Sequence, residues 1–327
     1  MKIRLNALAV ALAAVVASTG AFAQMKLTLG HNAAPGNPKH EASVRFAEIV
    51  KAKSGGRIDV QVSPSAQLGD DAAMVTALRT GAMDISANSQ GAISAAVPEY
   101  AAFGMPFLFP SLPQAWKVLD GPVGRDLAKA SEDKGLVVLG YWDNGIRHIS
   151  NKTRAIQSPA DLKGLKIRTP PDPVTVDIMQ ALGAEAQQIK FSELYVALQQ
   201  GVVDGQENPL MNVHSSKLYE VQKFISYTAH KYELTPFVMS KRTMDRLSEA
   251  DRKIIREAAA EATQFNRKMS LEADQRLEAD LKSKGIQFTK PDLAPFVKAT
   301  QPVIDKWTAG PQGEFVRKVI AAARAAN

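Results

Sequence analysis

Hydrophobic positions fall into two rhythms along the first part of the chain. Leu27-Thr28-Leu29-Gly30 reads as a buried strand, and Ala42, Phe46, Ile49 and Val50 recur at helical spacing through His40 to Lys53, which predicts a helix that stops at Gly55-Gly56. Arg57-Ile58-Asp59-Val60-Gln61-Val62 then alternates polar with apolar, the mark of a half-exposed strand. Strand, helix, strand predicts a parallel sheet with right-handed crossovers, hence an α/β fold. Further on, Leu136 to Tyr141 and Leu165 to Ile167 read as strands, and Ile149-Ser150-Asn151 as the start of another.

Two segments share the pattern A-L-x-x-G-x-x-D: Ala77 to Asp84 and Ala197 to Asp204. Each is a helix end, a glycine cap and a strand entry, with Asp70 or Asp71 as the expected N-cap of the first helix and Ser192 of the second. Two such units suggest two similar lobes. Between Pro98 and Pro122, Phe103, Phe107 and Phe109 are expected to be packing residues rather than a ligand surface. Ser248 to Lys284 reads as one long helix, unbroken or kinked, opened by the capping box Ser248-Glu249-Ala250-Asp251 and stopped by Gly285. Unbroken, it would run roughly 55 Å and brace both lobes.

Composition narrows the compartment. Lys2 and Arg4 precede an apolar run from Ala7 to Val16, and Ala21-Phe22-Ala23 supplies small cleavage residues, so Met1 to Ala23 reads as a secretory signal peptide and the mature chain as a periplasmic protein beginning at Gln24. Losing two cations and no Asp or Glu takes the formal charge from +7 to +5, with the remaining charges interspersed, which does not argue for nucleic acid. Zero cysteines exclude a disulfide framework and a thiol nucleophile.

The chemistry-bearing residues point to binding rather than turnover. His31, His40, His148, His214 and His230 show no recognised metal-ligand spacing, and neither a G-x-S-x-G elbow nor a phosphate loop is present, so no metal and no cofactor is expected. Asp70-Asp71 reads either as an acid-base pair or, more ordinarily, as a helix cap and dipole partner. Arg147 and Arg168 both follow strands, where ligands of open α/β sheets collect, and an arginine fork fits a carboxylate; surface ion pairs are the competing reading. Asn208, before Pro209, could equally serve a turn.

G-L-K-I-R-T-P at Gly164 to Pro170, F-S-E-L-Y-V-A-L-Q at Phe191 to Gln199, D-G-Q-E-N-P-L at Asp204 to Leu210, Y-E-V-Q-K-F at Tyr219 to Phe224 and Q-L-G-D-D at Gln67 to Asp71 together resemble the DctP-type solute-binding proteins of tripartite ATP-independent periplasmic (TRAP) transporters. The resemblance runs from Leu27 to about Pro295. It implies a two-lobe, type II-like periplasmic binding protein with a hinge of crossing strands, closing on a ligand carboxylate, with a long helix spanning both lobes. The lobes would comprise residues 24–145 plus 234–273 and 146–233 plus 274–327.

By the same resemblance, Arg168 matches the family's carboxylate arginine, Arg147 its second pocket arginine, Asn208 its pocket asparagine and Phe191 its pocket aromatic. His31 and Asn32 fall in the ligand-facing loop after the first strand, and Asp71 matches an acid that reaches the ligand in some members. Sialic-acid binders carry charged groups where this chain has Asn88-Ser89-Gln90, so the implied ligand is a different one; Asn88, Ser89 and Gln90 offer neutral partners for hydroxyls. His31 reads either as a ligand contact or as structural. The expectation is a monomeric periplasmic protein that captures a hydroxy or sugar acid of about four to six carbons and delivers it to TRAP permease subunits. A C4-dicarboxylate binder, with one carboxylate on each arginine, and a periplasmic lyase or lactone hydrolase using Asp71 and His31 are the alternatives.

Overall fold

A computed structural model describes residues 24–326; the expected signal peptide and its cleavage after Ala23 lie outside the described residues. Among the described residues nine strands form one mixed sheet: β1 (Met25–His31), β2 (Ile58–Ser63), β3 (Ile85–Ala87), β4 (Leu136–Asn151), β5 (Lys166–Thr169), β6 (Glu185–Gln188), β7 (Gly205–Asn208), β8 (Phe224–Ser240) and β9 (Gln287–Thr289). They run in the order β2-β1-β3-β8-β4-β7-β5-β6, with β9 beside β8. The parallel β2-β1-β3 set belongs to one lobe and the parallel β7-β5-β6 set to the other. β4 and β8, an antiparallel pair of 16 and 17 residues, cross between them.

The crossing strands do not run straight. The β4–β8 register slips at Val138/Gly140, Asp143/Gly145 and Arg147/Ile149, and bulges of this kind bend and re-aim a ladder. Gly145 has φ +112°, which an L side chain rarely adopts. Leu136 to Asn151 is accordingly one bent strand, where the sequence pattern suggested two.

Helix α1 (Pro38–Lys53) carries Ala42, Phe46, Ile49 and Val50 into a core with Leu27, Leu29 and Ile58, and Asn37 caps it by accepting from the Lys39 amide at 3.0 Å. Helix α2 (Asp71–Thr80) ends on Gly81 in the left-handed region, as its glycine cap predicted. Ser192 is not a helix cap: it lies in a short 3-10 turn, Phe191–Glu193, ahead of the helix Leu194–Gln199, and its hydroxyl is used elsewhere. Helix α3 (Gln90–Ser94) follows β3 and abuts Asp172; a Cβ on Gly91 would sit 2.4 Å from the Asp172 Cβ, so only glycine permits the approach.

The long helix spans Glu249–Ser283, and Ser248 caps it by accepting from the Asp251 amide at 3.1 Å. Its 35 residues extend about 52 Å. Ile255, Ala258, Ala259 and Ala262 join the α1–β1 core, whereas Ala273, Leu277 and Leu281 join a separate core with Leu194, Leu198 and Ile225. One continuous helix thus ties the two lobes together. Phe103 and Phe109 are buried and stacked, their centroids 5.9 Å apart, and Phe107 packs partly buried against the same cluster.

Candidate functional site

Where the crossing strands meet the two parallel sets lies a cavity of about 100 Å³. Its walls come from Asn32 after β1, Asp70 and Asp71 at the start of α2, Ser89 and Ala92 around the start of α3, Arg147 and Glu233 in the crossing strands, Arg168 at the end of β5, Phe191, and Asn208 at the end of β7. The cavity therefore gathers seven of the ten residues singled out from the sequence.

Arg168 is 2% exposed, yet no carboxylate of the described residues lies within ion-pair distance of it. Its Nε donates to the Ile189 carbonyl at 2.8 Å, and its guanidinium carbon sits 5.7 Å from the centroid of the Phe191 ring. Burial pushes its pKa down to about 10, with Glu207 pulling the other way, so it remains charged at neutral pH. The rest of the fork is left for whatever enters the cavity.

Arg147 is differently placed. Its Nε bonds the Glu207 carboxylate, one Nη the Glu233 carboxylate, and the other Nη both the Glu207 carbonyl (2.5 Å) and Glu207 Oε1 (2.7 Å). Burial works against its charge, but the two glutamates outweigh it and hold the guanidinium protonated. Glu207 is in turn held down to about 2: burial raises it, and Arg147 with His230 more than compensates. Of the five N–H groups of an arginine, four are thus committed to protein acceptors. This departs from the expectation that Arg147 offers its fork to the ligand, because two buried carboxylates reach it first.

Asn208 sits in an amide chain: it donates to Gln206 Oε1 and accepts from Asn212 at 2.9 Å, while Asn212 also donates to Asn144 at 3.1 Å and accepts from Asn37 at 2.9 Å. Asn32 donates to Asp71 Oδ2 at 2.6 Å and accepts from the buried Lys39 ammonium at 3.2 Å. The Asp71 carboxyl is pushed up to about 6 by burial, with Lys39 opposing. Its Oδ1 is buried with no partner in good hydrogen-bonding geometry, although the Ser89 backbone lies near enough to the carboxyl to favour its charged form.

Three expected contacts lie off the cavity wall. His31 is fully buried behind it, 3.3 Å from His40 through their ring nitrogens, and burial, then Lys39, push its pKa down to about 3. Asn88 turns back to Ser86 Oγ at 2.5 Å. Gln90 points inward, its Oε1 near the Leu234 amide at 3.4 Å. His31 at the end of β1, and Asn88 and Gln90 after β3, each bury the side chain instead of presenting it. Sequence reasoning missed Asn144, Lys190, Asn212 and Glu233; a glutamate inside the largely apolar run Tyr232 to Met239 was the available signal, because a buried charge demands a partner.

A two-lobe α/β frame around a cavity that holds a buried arginine without a carboxylate ion-pair partner among the described residues is the arrangement of a binding protein for small anions. The chain belongs to the bacterial extracellular solute-binding protein family 7 (DctP), whose profile matches residues 29–310, and is a TRAP-type solute-binding protein. It is 55% identical over 280 residues to an uncharacterized protein of Sinorhizobium fredii, covering 85% of this chain and 52% of the other, so that it spans about half that relative's length. The sugar acid binding protein of Advenella mimigardefordensis, solved with galactonate, superposes with a TM-score of 0.91 at 33% identity, covering 93% of this chain and 99% of that one. A TRAP periplasmic solute-binding protein from Polaromonas, bound to D-erythronate, gives a TM-score of 0.88 at 36% identity over 92% and 99% of the two chains. No helix among the described residues is long and apolar enough to cross a membrane.

Proposed function

We propose that this chain is a monomeric periplasmic protein, released from its leader after Ala23, that captures a hydroxy or sugar acid of about four to six carbons and passes it to TRAP membrane permease subunits. The observation that carries this is the state of Arg168: a buried cation on the cavity wall with no carboxylate of the described residues within ion-pair distance. A buried charge left unpaired is costly, and a carboxylate completing a two-bond fork removes that cost. Phe191 then covers the carbon skeleton, and Asn208, Asn32 and Ser89 serve its oxygens. At roughly 10–15 Å³ of such space per water, the cavity holds a compact acid rather than a long one. The sugar acids bound by the Advenella and Polaromonas proteins support the same class.

Closure is proposed to occur about β4 and β8, between 24–145 plus 234–273 on one side and 146–233 plus 274–327 on the other. A thermal-shift screen of the mature chain against organic acids tests the assignment. Four- to six-carbon aldonates or uronates should raise the melting temperature, and neutral sugars and amines should not; a screen in which only uncharged compounds stabilise the protein would overturn it. N-terminal sequencing of the exported protein checks Gln24 as the first residue.

A further inference from the structure

Beyond the arginine, the cavity carries an excess of acceptors. Asp70 is already engaged, with Oδ1 accepting from Ser192 at 2.7 Å and Oδ2 facing Lys190 at 3.1 Å. Asp71 and Glu233 are each only half engaged. Asp71 Oδ2 takes the Asn32 amide, and Glu233 Oε2 takes Arg147 and Asn144, the latter at 2.9 Å. The other oxygens, Asp71 Oδ1 and Glu233 Oε1, are buried without a hydrogen-bond partner among the described residues. Glu233 is fully buried, and both residues line the cavity.

The nearby cations do not change this picture. Lys39 is buried and acts on both carboxylates electrostatically, but its ammonium hydrogen-bonds Asn32. Arg147 is outnumbered by Glu207 and Glu233. A ligand group entering beside Asp71 and Glu233 therefore meets acceptors that lack donors. A hydroxyl supplies a donor. A second carboxylate supplies none and adds like charge.

We propose that Asp71 and Glu233 are specificity-determining residues that accept ligand hydroxyls and exclude a second carboxylate, so that the site takes hydroxy monocarboxylates and rejects C4-dicarboxylates. This rests on the reading of Arg168 as the carboxylate anchor. It also removes the alternative in which Arg147 clamps a second carboxylate, since that would require Arg147 to leave both glutamates.

The test compares four-carbon probes by calorimetry on the mature chain: erythronate, succinate and succinamate, the last replacing one carboxylate of succinate by a neutral amide that donates. Wild type should prefer erythronate to succinate by about 100-fold or more, as like-charge juxtaposition in a buried site predicts, and should bind succinamate more tightly than succinate. Asp71→Asn should narrow the erythronate-to-succinate ratio by about tenfold, since it removes a charge and offers an amide. Glu233→Gln should act in the same direction where it folds; because Glu233 also holds Arg147, the succinamate comparison on unaltered protein stands in for it. Succinate binding wild type as tightly as erythronate, or a ratio unmoved by Asp71→Asn, overturns the inference and leaves the carboxylate reading intact. Failure of all three acids to bind would instead overturn the reading of Arg168, and the inference with it.

Discussion

The guanidinium of Arg168 lies over the ring of Phe191, 5.7 Å from its centroid, while its Nε is pinned to the Ile189 carbonyl. A planar cation held at one edge and backed by an aromatic face has little freedom left, so its remaining donors are oriented before a ligand arrives. Such preorganisation lowers the ordering cost of binding.

From this arrangement, Arg168→Met should abolish ligand binding without unfolding the protein. Losing one partner of a buried charge pair typically costs about 2 to 5 kcal/mol, a loss of roughly 30-fold to several thousand-fold in affinity. The ligand-free melting temperature should hold or rise, since the variant removes a buried cation that has no ion-pair partner among the described residues. Arg168→Lys should also bind poorly, because an ammonium has no fork to share between Ile189 and a carboxylate. Calorimetry showing near wild-type affinity for the methionine variant would sink the assignment.

Much of this could be read in advance, and the failures have a common cause. Local rules predicted α1, the capped long helix and the glycine stop of α2, because caps and periodicity depend only on neighbours in sequence. The motif around Gly164 to Pro170 likewise placed Arg168 at a strand end facing the cavity. What local rules do not contain is the partner. Arg147 is taken by Glu207 and Glu233, 60 and 86 residues away, and Ser192 by Asp70 at a distance of 122. His31 illustrates the same limit, since whether it faces the ligand or hides behind Asn32 depends on which side of β1 the helix α1 covers.

Two sets of contacts join segments on either side of the proposed hinge: Asp70 with Ser192 and Lys190, and Asn37 with Asn212 and Ser215 at 2.9 and 3.2 Å. They join the segments that the proposed closure brings together, so Asp70→Ala should weaken binding while leaving every cavity contact of Arg168 in place. A hydrogen bond contributes about 0.5 to 1.5 kcal/mol and a partly exposed ion pair about 0 to 1, so the expected loss is a few-fold to about 30-fold, carried by faster release. X-ray scattering should show a smaller radius of gyration for wild type on adding ligand, and a weaker contraction for the variant. Equal affinities for the two proteins would show that these contacts do not hold the closed form.

Acid should destabilise the fold well above the usual carboxylate range. His31 and His148 are each pushed from 6.5 to about 3, first by burial, and His230 is lowered as well, again by burial against the pull of Glu207. A histidine kept neutral in the fold binds fewer protons there than in the unfolded chain, so stability falls as pH drops from 6.5 toward 3. Asp71 works the other way: its carboxyl, raised from 3.8 to about 6, takes up a proton in the folded state first, which favours the fold as pH drops through 6 toward 3.8. Three histidines outweigh one carboxyl, so the net effect is loss. Melting temperatures recorded from pH 7 to 4 at constant ionic strength should decline steadily below about 6.5. His148→Asn, whose side-chain oxygen can still accept the Ala229 amide that His148 Nδ1 accepts at 3.1 Å, should flatten the decline, and Asp71→Asn should steepen it. A melting temperature that is flat or rising across this window would show that these histidines are not held neutral by burial.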